Sequence, residues 1–253
     1  MTQTVTIFKN IKETEAPFHK QIGVVLNRIK EGATKDLVKK IRTETNKAER
    51  QELKKNLPAI CFSGVFTKRT DKSLSEHSGL ICLDFDGYPK KKELLQDKEN
   101  LTKDKFVYSV FISPSGNGLK VLVKIPTEIA NHKNYFNALN NHFDSPYFDK
   151  TCSNISRVCY ESYDPLIFIN ENSSIWETID EIEYTEVLSN RDAPTLPITD
   201  ENKIVEILVK WWVKKYPMVE GQRNQNVYVL AMAFNDYGIN KSLAGYVLNQ
   251  YIT

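Results

Sequence analysis

The feature that most constrains this chain is an apolar strand that ends in two carboxylates, in residues 79–87, Gly-Leu-Ile-Cys-Leu-Asp-Phe-Asp-Gly. Successive side chains of a strand alternate between its faces, so Asp84 and Asp86 share one face while Leu83 and Phe85 share the other. The nearly continuous apolar run before Asp84 predicts a strand that is buried on both faces in the middle of a sheet. The sequence therefore predicts an acidic pair at the end of a central strand.

Two carboxylates held side by side repel each other, and the repulsion is costly when nothing neutralises it. A divalent cation with oxygen ligands, Mg²⁺ or Mn²⁺, is the usual remedy. Asp84 and Asp86 therefore indicate metal-assisted phosphate chemistry. The alternative is an ordinary solvated turn at the end of the strand.

A glycine-rich turn at residues 113–120, Ser-Pro-Ser-Gly-Asn-Gly-Leu-Lys, is the second informative element. It lies between two predicted strands and indicates a hairpin. Glycines allow a tight turn whose N–H groups face an anion, and hydroxyl and ammonium groups add donors. The loop is not a Walker A sequence, because its lysine opens a strand instead of a helix. A plain hairpin turn is the alternative. The candidate phosphate ligands are Ser113, Ser115, Gly116, Gly118 and Lys120.

A third carboxylate, Asp149, follows Phe148 at the start of a polar loop, and Arg157 lies in an otherwise apolar run. A third acid would complete a metal site for phosphoryl transfer, and an arginine would stabilise charge on the transferred group. Arg69 and His77, just before the acidic strand, are candidates for the same pocket. The alternative is that Asp149 caps a loop and Arg157 pairs with an acid.

The apolar periodicity predicts an α+β fold, with a mostly antiparallel sheet covered by helices. Gly32 should end the first helix, and Gly64 should mark a bulge or a close approach within the first strand. The predicted helices are 19–31, 34–55 and 131–143, and the predicted strands are 57–66, 79–86, 106–113, 119–125 and 155–163.

The chain is predicted to divide into three regions, because residues 170–190 carry six acidic residues and no Lys or Arg. Helical spacing returns after this segment, around Ile204 and Trp212 and over residues 223–236 and 241–252. The chain ends inside a helical pattern, and we therefore expect it to be a piece of a longer protein. The predicted regions are a catalytic domain over 1–170, an acidic linker over 171–198 and a helical domain over 199–253.

Charge and cysteine usage indicate the setting in which the protein works. Residues 1–56 carry 13 Lys or Arg against 7 Asp or Glu, which is compatible with a polyanionic partner. The four cysteines include no Cys-x-x-Cys pair, so they are predicted to be reduced, buried thiols. The N-terminus does not resemble a secretory signal, and no apolar run reaches about 18 residues. We therefore expect a cytoplasmic protein with no membrane partner.

Four blocks of the chain resemble, in order, the VirE N-terminal family over roughly residues 5–170. That family is grouped with the archaeo-eukaryotic primase superfamily, the primase-polymerases of plasmids, phages and other mobile elements. The resemblance implies a core similar to an RNA-recognition-motif (RRM) fold, packed on an N-terminal α/β unit and followed by a small helical domain. The four blocks are residues 57–64, 78–86, 113–120 and 148–165.

The catalytic motifs of that superfamily correspond to residues already singled out. The apolar-Asp-x-Asp motif matches Asp84 and Asp86, the small-x-His motif matches Gly118-Leu119-Lys120 in position, and the apolar-Asp motif matches Phe148-Asp149. The resemblance implies a metal-dependent nucleotidyltransferase, a DNA primase/polymerase in which Asp84, Asp86 and Asp149 hold Mg²⁺ or Mn²⁺. The implied partners are an NTP or dNTP substrate, a single-stranded DNA template and a helicase.

One departure from the family pattern leaves a second prediction open. The superfamily histidine that contacts the incoming triphosphate is replaced by Lys120, which supplies charge and donors but no neutral imidazole. The alternative is a catalytically weak or inactive primase-like module that binds nucleotide or single-stranded DNA in a replication initiator.

The run Asp84-Phe85-Asp86-Gly87 also resembles the nucleophile motif of haloacid-dehalogenase-type phosphatases. That family usually continues with Thr or Val, whereas this chain has Tyr88. It also needs a later Gly-Asp-x-x-x-Asp loop, which the sequence lacks. A phosphatase of this type is the third alternative.

Overall fold

The computed structural model describes residues 3–179, 200–216 and 223–251. The chain divides into two compact units, Met1–Thr185 and Glu186–Thr253. The first unit combines helices with antiparallel sheets, which confirms the predicted α+β class. Its strands are β1 (Thr4–Phe8), β2 (Phe18–Gln21), β3 (Ala59–Cys61), β4 (Gly64–Phe66), β5 (Leu74–His77), β6 (Leu80–Phe85), β7 (Val107–Ile112), β8 (Leu119–Lys124), β9 (Cys159–Tyr160) and β10 (Phe168–Ile169). Its helices are α1 (Ile22–Glu31), α2 (Lys35–Thr43), α3 (Lys47–Lys54), α4 (Lys91–Leu101) and α5 (His132–Phe143).

The described strands of the first unit form two four-stranded sheets and one two-stranded pair. The first sheet has the strand order β2-β1-β3-β9, the second has the order β10-β7-β8-β6, and β4 pairs with β5. Helix α1 contributes its apolar stripe to a core that also holds residues of both sheets, such as Ile60 and Leu122. Helices α4 and α5 belong to the core on the other face of the second sheet. Both faces of the second sheet are therefore covered.

Strand β6 is buried on both faces, as its apolar run predicted. β8 pairs along one side of it, with Asp84 opposite Lys120. Its other side makes one isolated bridge, between Phe85 and Phe148, instead of a full ladder. The chain runs β6, α4, β7, β8, α5 and then reaches Phe148, so the bridge returns the chain to the acidic strand. The RRM-like arrangement stays a prediction.

The first helix ends where the sequence indicated. Gly32 has a φ of 86°, in the left-handed region that favours glycine, and its N–H bonds to the carbonyl of Arg28. The helix begins later than predicted, at Ile22, because residues 18–21 pair with β1 as an edge strand.

Three further predicted elements differ from the structure. The helix predicted over 34–55 is divided into α2 and α3, because the Asn46 side chain accepts hydrogen bonds from Ala48 and Glu49 and starts a new helix. The strand predicted over 57–66 is divided into β3 and β4, and Gly64 makes the predicted close approach, since a Cβ there would overlap the carbonyl of Glu76.

The strand predicted over 155–163 is short in the structure, where only Cys159–Tyr160 pairs with β3. The backbone groups of residues 155 and 156 form hydrogen bonds with side chains instead of with a neighbouring strand. Ser63 Oγ donates to the Ile155 carbonyl, and Ser156 N–H donates to Asp71 at 3.0 Å. The side chains of this segment compete with the sheet for its backbone groups.

The region predicted as a linker, 171–198, begins with residues that pack on the first unit. Trp176 is buried in its core, and its backbone N–H donates to the Lys124 carbonyl at 2.8 Å. The acidic composition of this segment gave no indication that the Trp176 side chain packs in the core. Residues 180–198 of this predicted linker lie outside the described residues.

The described part of the second unit is helical, with α6 (Glu201–Lys215), α7 (Arg223–Asp236) and α8 (Lys241–Asn249). Trp212 is fully buried between them, and its indole N–H donates to the Asn226 carbonyl at 2.6 Å. The helices predicted over 223–236 and 241–252 are thus present, and the second ends slightly early. Across both units, no helix in the described ranges has the length and apolarity needed to cross a bilayer.

One buried ion pair connects α4 to the chain that follows β9. Lys98 Nζ lies 2.6 Å from Asp164 Oδ2 and also donates to the Leu166 carbonyl at 2.7 Å. The Asp164 carboxylate accepts from the N–H groups of Ile112 and Leu166 as well. The charge of Asp164 is therefore satisfied from three elements at once.

Removing the cation of this pair should destabilise the fold strongly. We expect Lys98→Ala to lower the free energy of unfolding by about 3–5 kcal/mol, because it leaves a buried carboxylate without its partner. Lys103→Ala, in the turn just after α4, is the matched control, since its pair with Glu99 is exposed and should contribute about 0–1 kcal/mol. Urea unfolding of the two variants measures the difference, and equal losses would contradict the expectation.

Candidate active site

A cavity of about 310 Å³ opens where β6 ends. It is bordered by the predicted acids, by the loop between β7 and β8, and by the chain from Asp149 to Tyr160. Three carboxylates and three basic side chains line it, and most of them come from distant parts of the sequence. The lining residues are Lys54, Asp84, Asp86, Ser113, Pro114, Ser115, Lys120, Asp149, Arg157, Val158 and Tyr160.

Backbone hydrogen bonds hold Asp149 against the acidic strand. The Asp149 N–H donates to the Asp84 carbonyl at 2.8 Å, and the Asp86 N–H donates to the Tyr147 carbonyl at the same distance. Between them, the rings of Phe85 and Phe148 pack edge to face with centroids 5.3 Å apart. Asp149 therefore lies on the same side of the sheet as Asp84, as the predicted site requires.

Lys120 is paired with Asp84 across the β6–β8 ladder, with Nζ 2.5 Å from Oδ1. Both side chains are nearly buried, at 11% and 13% exposure. Burial lowers the pKa of the Lys120 ammonium, but the charges of Asp84 and Asp86 and the nearby thiols raise it by more. The net pKa lies above the ordinary value, so Lys120 stays charged and neutralises Asp84.

The Asp149 carboxylate is held by the loop that follows it. Thr151 donates to Oδ1 through both its N–H and its hydroxyl, at 3.0 and 2.7 Å. Cys152 Sγ lies 3.0 Å from Oδ2, and Arg157 Nη2 lies 3.9 Å from the same atom. Burial raises the pKa of Asp149, but the bonds from Cys152 and Thr151 lower it by more, so the carboxylate is stabilised in its charged form.

Sequence reasoning missed Cys152, which was counted only as one of four buried thiols. Its Sγ lies 3.5 Å from Asp84 Oδ2 and accepts a hydrogen bond from Arg157 Nη2. Burial, the charge of Asp84 and the bond to Asp149 together raise the pKa of the thiol to about 12. One donor atom from each of Asp84, Asp149 and Cys152 lies within 4.8 Å of the other two.

The donor chemistry of this group fits a divalent cation. Two carboxylates supply the oxygen ligands that Mg²⁺ and Mn²⁺ accept, and Asp84 already holds a cationic group in the Lys120 ammonium. Asp86, the third predicted ligand, borders the cavity but lies outside the group. Its carboxyl lies against Gly118 instead, so close that a Cβ at Gly118 would overlap Oδ1. Partial burial and the neighbouring acids raise the pKa of Asp86.

The glycine-rich turn forms one wall of the cavity through Ser113 and Ser115. Ser113 N–H donates to the Gly118 carbonyl at 2.8 Å, and Gly116 adopts a φ of 78° that favours glycine. Arg42 of α2 fixes the turn from behind, donating to the carbonyls of Ser113 and Tyr163 at 3.1 and 2.9 Å. No local pattern singled out Arg42, because it acts on residues more than 70 positions away.

Lys54, at the end of α3, is the basic lining residue that the sequence did not reveal. Burial lowers the pKa of its ammonium, Lys120 and Arg50 lower it further, and Asp86 opposes them. Its position could not be read from the sequence, where it is one lysine of a strongly charged stretch.

Two predicted pocket residues lie elsewhere. His77 ends β5 and bonds to His132, with Nε2 3.1 Å from Nδ1, while its own Nδ1 accepts from the Gly79 N–H. Arg69 lies in the β4–β5 connection, where its N–H donates to the Thr14 carbonyl. Neither lines the cavity, because pairing of β5 with β4 carries the connection away from the end of β6. Arg157, by contrast, borders the cavity as expected.

Residues 52–168 match the family model of the BT4734-like N-terminal domain. This family is related to VirE N-terminal and primase-like domains. The match includes every residue that lines the cavity, together with Cys152, but not Arg42. The curated proteins and the solved structures gave no match to the chain.

The close approach of Gly118 to the acidic strand can be tested directly. In Gly118→Ala, the new methyl group would overlap Asp86 Oδ1 and lie 2.8 Å from the Phe85 carbonyl oxygen. We expect a loss of about 1–3 kcal/mol in unfolding free energy, with weaker binding of Mn²⁺, because the strand end must move. Gly23→Ala, at a helical glycine with nothing within 4 Å, should be neutral or stabilising. Equal unfolding free energies and equal Mn²⁺ affinities in the two variants would contradict the close contact between Gly118 and Asp86.

The buried pair His77 and His132 should make the fold sensitive to acid. Burial lowers the pKa of His77 to about 4, and burial together with His77 lowers that of His132 to about 3. An unfolded histidine titrates near pH 6.5, so below that pH the unfolded chain binds more protons than the folded one. Each imidazole should then remove up to about 1.4 kcal/mol of stability per pH unit as the pH falls from 6.5 towards its folded pKa.

Urea unfolding at pH 7, 6 and 5 measures this slope. We expect the His77→Gln/His132→Gln double variant to have a shallower slope than the unsubstituted protein. His19→Gln, at an exposed histidine of β2, should keep the original slope. An unchanged slope in the double variant would rule out the pair as the source.

Proposed function

We propose that this chain is a metal-dependent nucleotidyltransferase, a DNA primase/polymerase of a mobile-element or phage-type replication system. It would add nucleotides from NTP or dNTP on a single-stranded DNA template. The observation that carries the proposal is the convergence of Asp84 and Asp149 in one cavity that also holds Lys54, Lys120 and Arg157. Carboxylates for a metal and cations for a polyphosphate are the parts that phosphoryl transfer needs.

Asp84 and Asp149 are the residues that would hold the metal, with Asp86 beside them at the cavity wall. A bound Mg²⁺ or Mn²⁺ ion supplies activation of the attacking 3′-hydroxyl and neutralisation of the leaving pyrophosphate. Thr151 keeps the Asp149 carboxylate in place through two hydrogen bonds. The low pKa of Asp149 keeps it ionised for this role.

The basic residues and the turn would bind the triphosphate. Lys54, Lys120 and Arg157 lie around the cavity, and Ser113 and Ser115 line it from the turn. Gly116 and Gly118 shape that turn. Three carboxylates offset the three cations, so the lining is close to neutral when all six are ionised. The cavity should therefore bind a triphosphate more tightly when a divalent cation binds with it.

Fold and family support the same proposal. The sequence of elements β6, α4, β7, β8 and α5, followed by the Phe148 bridge, gives the spatial order Phe148, β6, β8, β7. This order supports the proposal of a β-α-β-β-α-β core of the RRM type. The matched family is related to primase-like domains. Single-stranded DNA and a helicase are the proposed partners, and the four free thiols support a reducing compartment such as the cytoplasm.

One observation favours the second candidate, a weak or inactive module that binds nucleotide or single-stranded DNA. The Lys120 ammonium lies 2.5 Å from Asp84 Oδ1, so the charge of Asp84 is neutralised without a metal. In this case the protein would bind nucleotide but incorporate none. A metal-dependent incorporation assay with labelled nucleotides distinguishes the two candidates.

Asp84→Asn should abolish nucleotide incorporation in protein that remains folded, although it also lowers the free energy of unfolding by removing the charged partner of the buried Lys120 ammonium. The amide keeps the shape of the carboxylate but loses the charge that a metal requires, and we expect a loss of about 10³-fold or more in rate. Primer extension with Mg²⁺ or Mn²⁺ measures the rate, and circular dichroism checks the fold.

Asp144→Asn is the matched control, because Asp144 is an exposed residue of the same unit with a φ of 40° that asparagine also tolerates. It should extend primers normally. Normal extension by Asp84→Asn would show that the site is wrong, and no extension by the unsubstituted protein would favour the binding module.

A further inference from the structure

The thiol of Cys152 lies in the centre of the acidic group, and the proposed function gives it no role. It comes from the loop after Asp149 and is buried, with 2% of its surface exposed. Its sulfur lies 3.0 Å from Asp149 Oδ2 and 3.5 Å from Asp84 Oδ2. The same two oxygens that would hold a metal therefore face the sulfur.

The other oxygen of each carboxylate is already engaged. Asp84 Oδ1 is paired with the Lys120 ammonium, and Asp149 Oδ1 accepts both hydrogen bonds from Thr151. The remaining oxygens, Asp84 Oδ2 and Asp149 Oδ2, thus both face the sulfur of Cys152. Outer contacts that fix a ligand in this way are typical of metal centres in proteins.

We infer that Cys152 is a third ligand at this site and makes it prefer a transition metal that accepts sulfur, such as Co²⁺ or Zn²⁺, over Mg²⁺. The inference rests on the proposed function, because the metal is the one held by Asp84 and Asp149. Carboxylates alone suit Mg²⁺ and Mn²⁺, whereas a thiolate is a soft ligand that favours softer cations such as Zn²⁺.

Coordination requires the thiolate. As the metal–sulfur bond forms, the thiol proton passes to solvent and the sulfur donates an electron pair to the cation. Arg157 supports the charged sulfur, because its Nη2 already donates a hydrogen bond to Sγ. No redox change takes place in this step.

The test is metal binding by the reduced full chain after removal of metals with a chelator. Co²⁺ and Cd²⁺ bound to a thiolate give sulfur-to-metal charge-transfer absorption, which a site of oxygen ligands lacks. We expect this band in the unsubstituted protein and its loss in Cys152→Ser. We also expect Cys152→Ser to lower Co²⁺ affinity by about tenfold or more while changing Mg²⁺ affinity much less.

Cys61→Ser is the matched control, because Cys61 is a buried thiol of β3 outside the acidic group. It should keep both the band and the ratio of Co²⁺ to Mg²⁺ affinity. The absence of a band from the unsubstituted protein with Cd²⁺ bound would overturn the inference without any variant. An unchanged affinity ratio in Cys152→Ser would overturn it as well.

These outcomes differ from those that test the proposed function. Mg²⁺ binding that Asp84→Asn removes, with no effect of Cys152→Ser and no band, would overturn the role of Cys152 and leave the nucleotidyltransferase proposal standing. A normal band without nucleotide incorporation in any metal would overturn that proposal and leave the sulfur ligand standing.

Discussion

The site depends on a short backbone contact between the end of β6 and the segment that contains Asp149. Two hydrogen bonds, Asp149 N–H to the Asp84 carbonyl and Asp86 N–H to the Tyr147 carbonyl, flank the bridge between Phe85 and Phe148. Phe148 also packs on Phe136 of α5, with ring centroids 5.2 Å apart. Because strand side chains alternate, aromatic rings that enter the core leave the neighbouring carboxylates on the cavity side. The contact between β6 and residues 147–149 therefore both packs the aromatic rings in the core and brings the carboxylates together at the cavity.

The alternation of side chains explains how much of this arrangement the sequence could predict. Asp84 and Asp86 follow a period of two, and the turn before Lys120 carries its own glycines, so both could be predicted from adjacent residues. Their mutual position follows from the pairing of β6 with β8, which α4 and β7 separate in the chain, so no local pattern predicts it. The α+β class follows from the same local patterns.

The rest of the site is formed by long-range contacts, which periodicity does not encode. Lys54 and Arg42 come from helices of the N-terminal region, and their importance lies in what they contact. Cys152 was indistinguishable in sequence from the other buried thiols. His77 was expected near the acids because it lies close to them in the chain, yet the β4–β5 hairpin pairs it with His132. Closeness in sequence predicted closeness in space only for residues of the same strand or hairpin.

The two contacts of Arg42 make the shape of the cavity depend on helix α2. One guanidinium group bonds both the carbonyl of Ser113 and the carbonyl of Tyr163, so α2 bridges the turn and the chain that closes the first unit. The region that matches the family begins at residue 52, after this helix. A minimal domain cut at that boundary would keep every residue that lines the cavity and still lose the brace that sets the spacing of its walls.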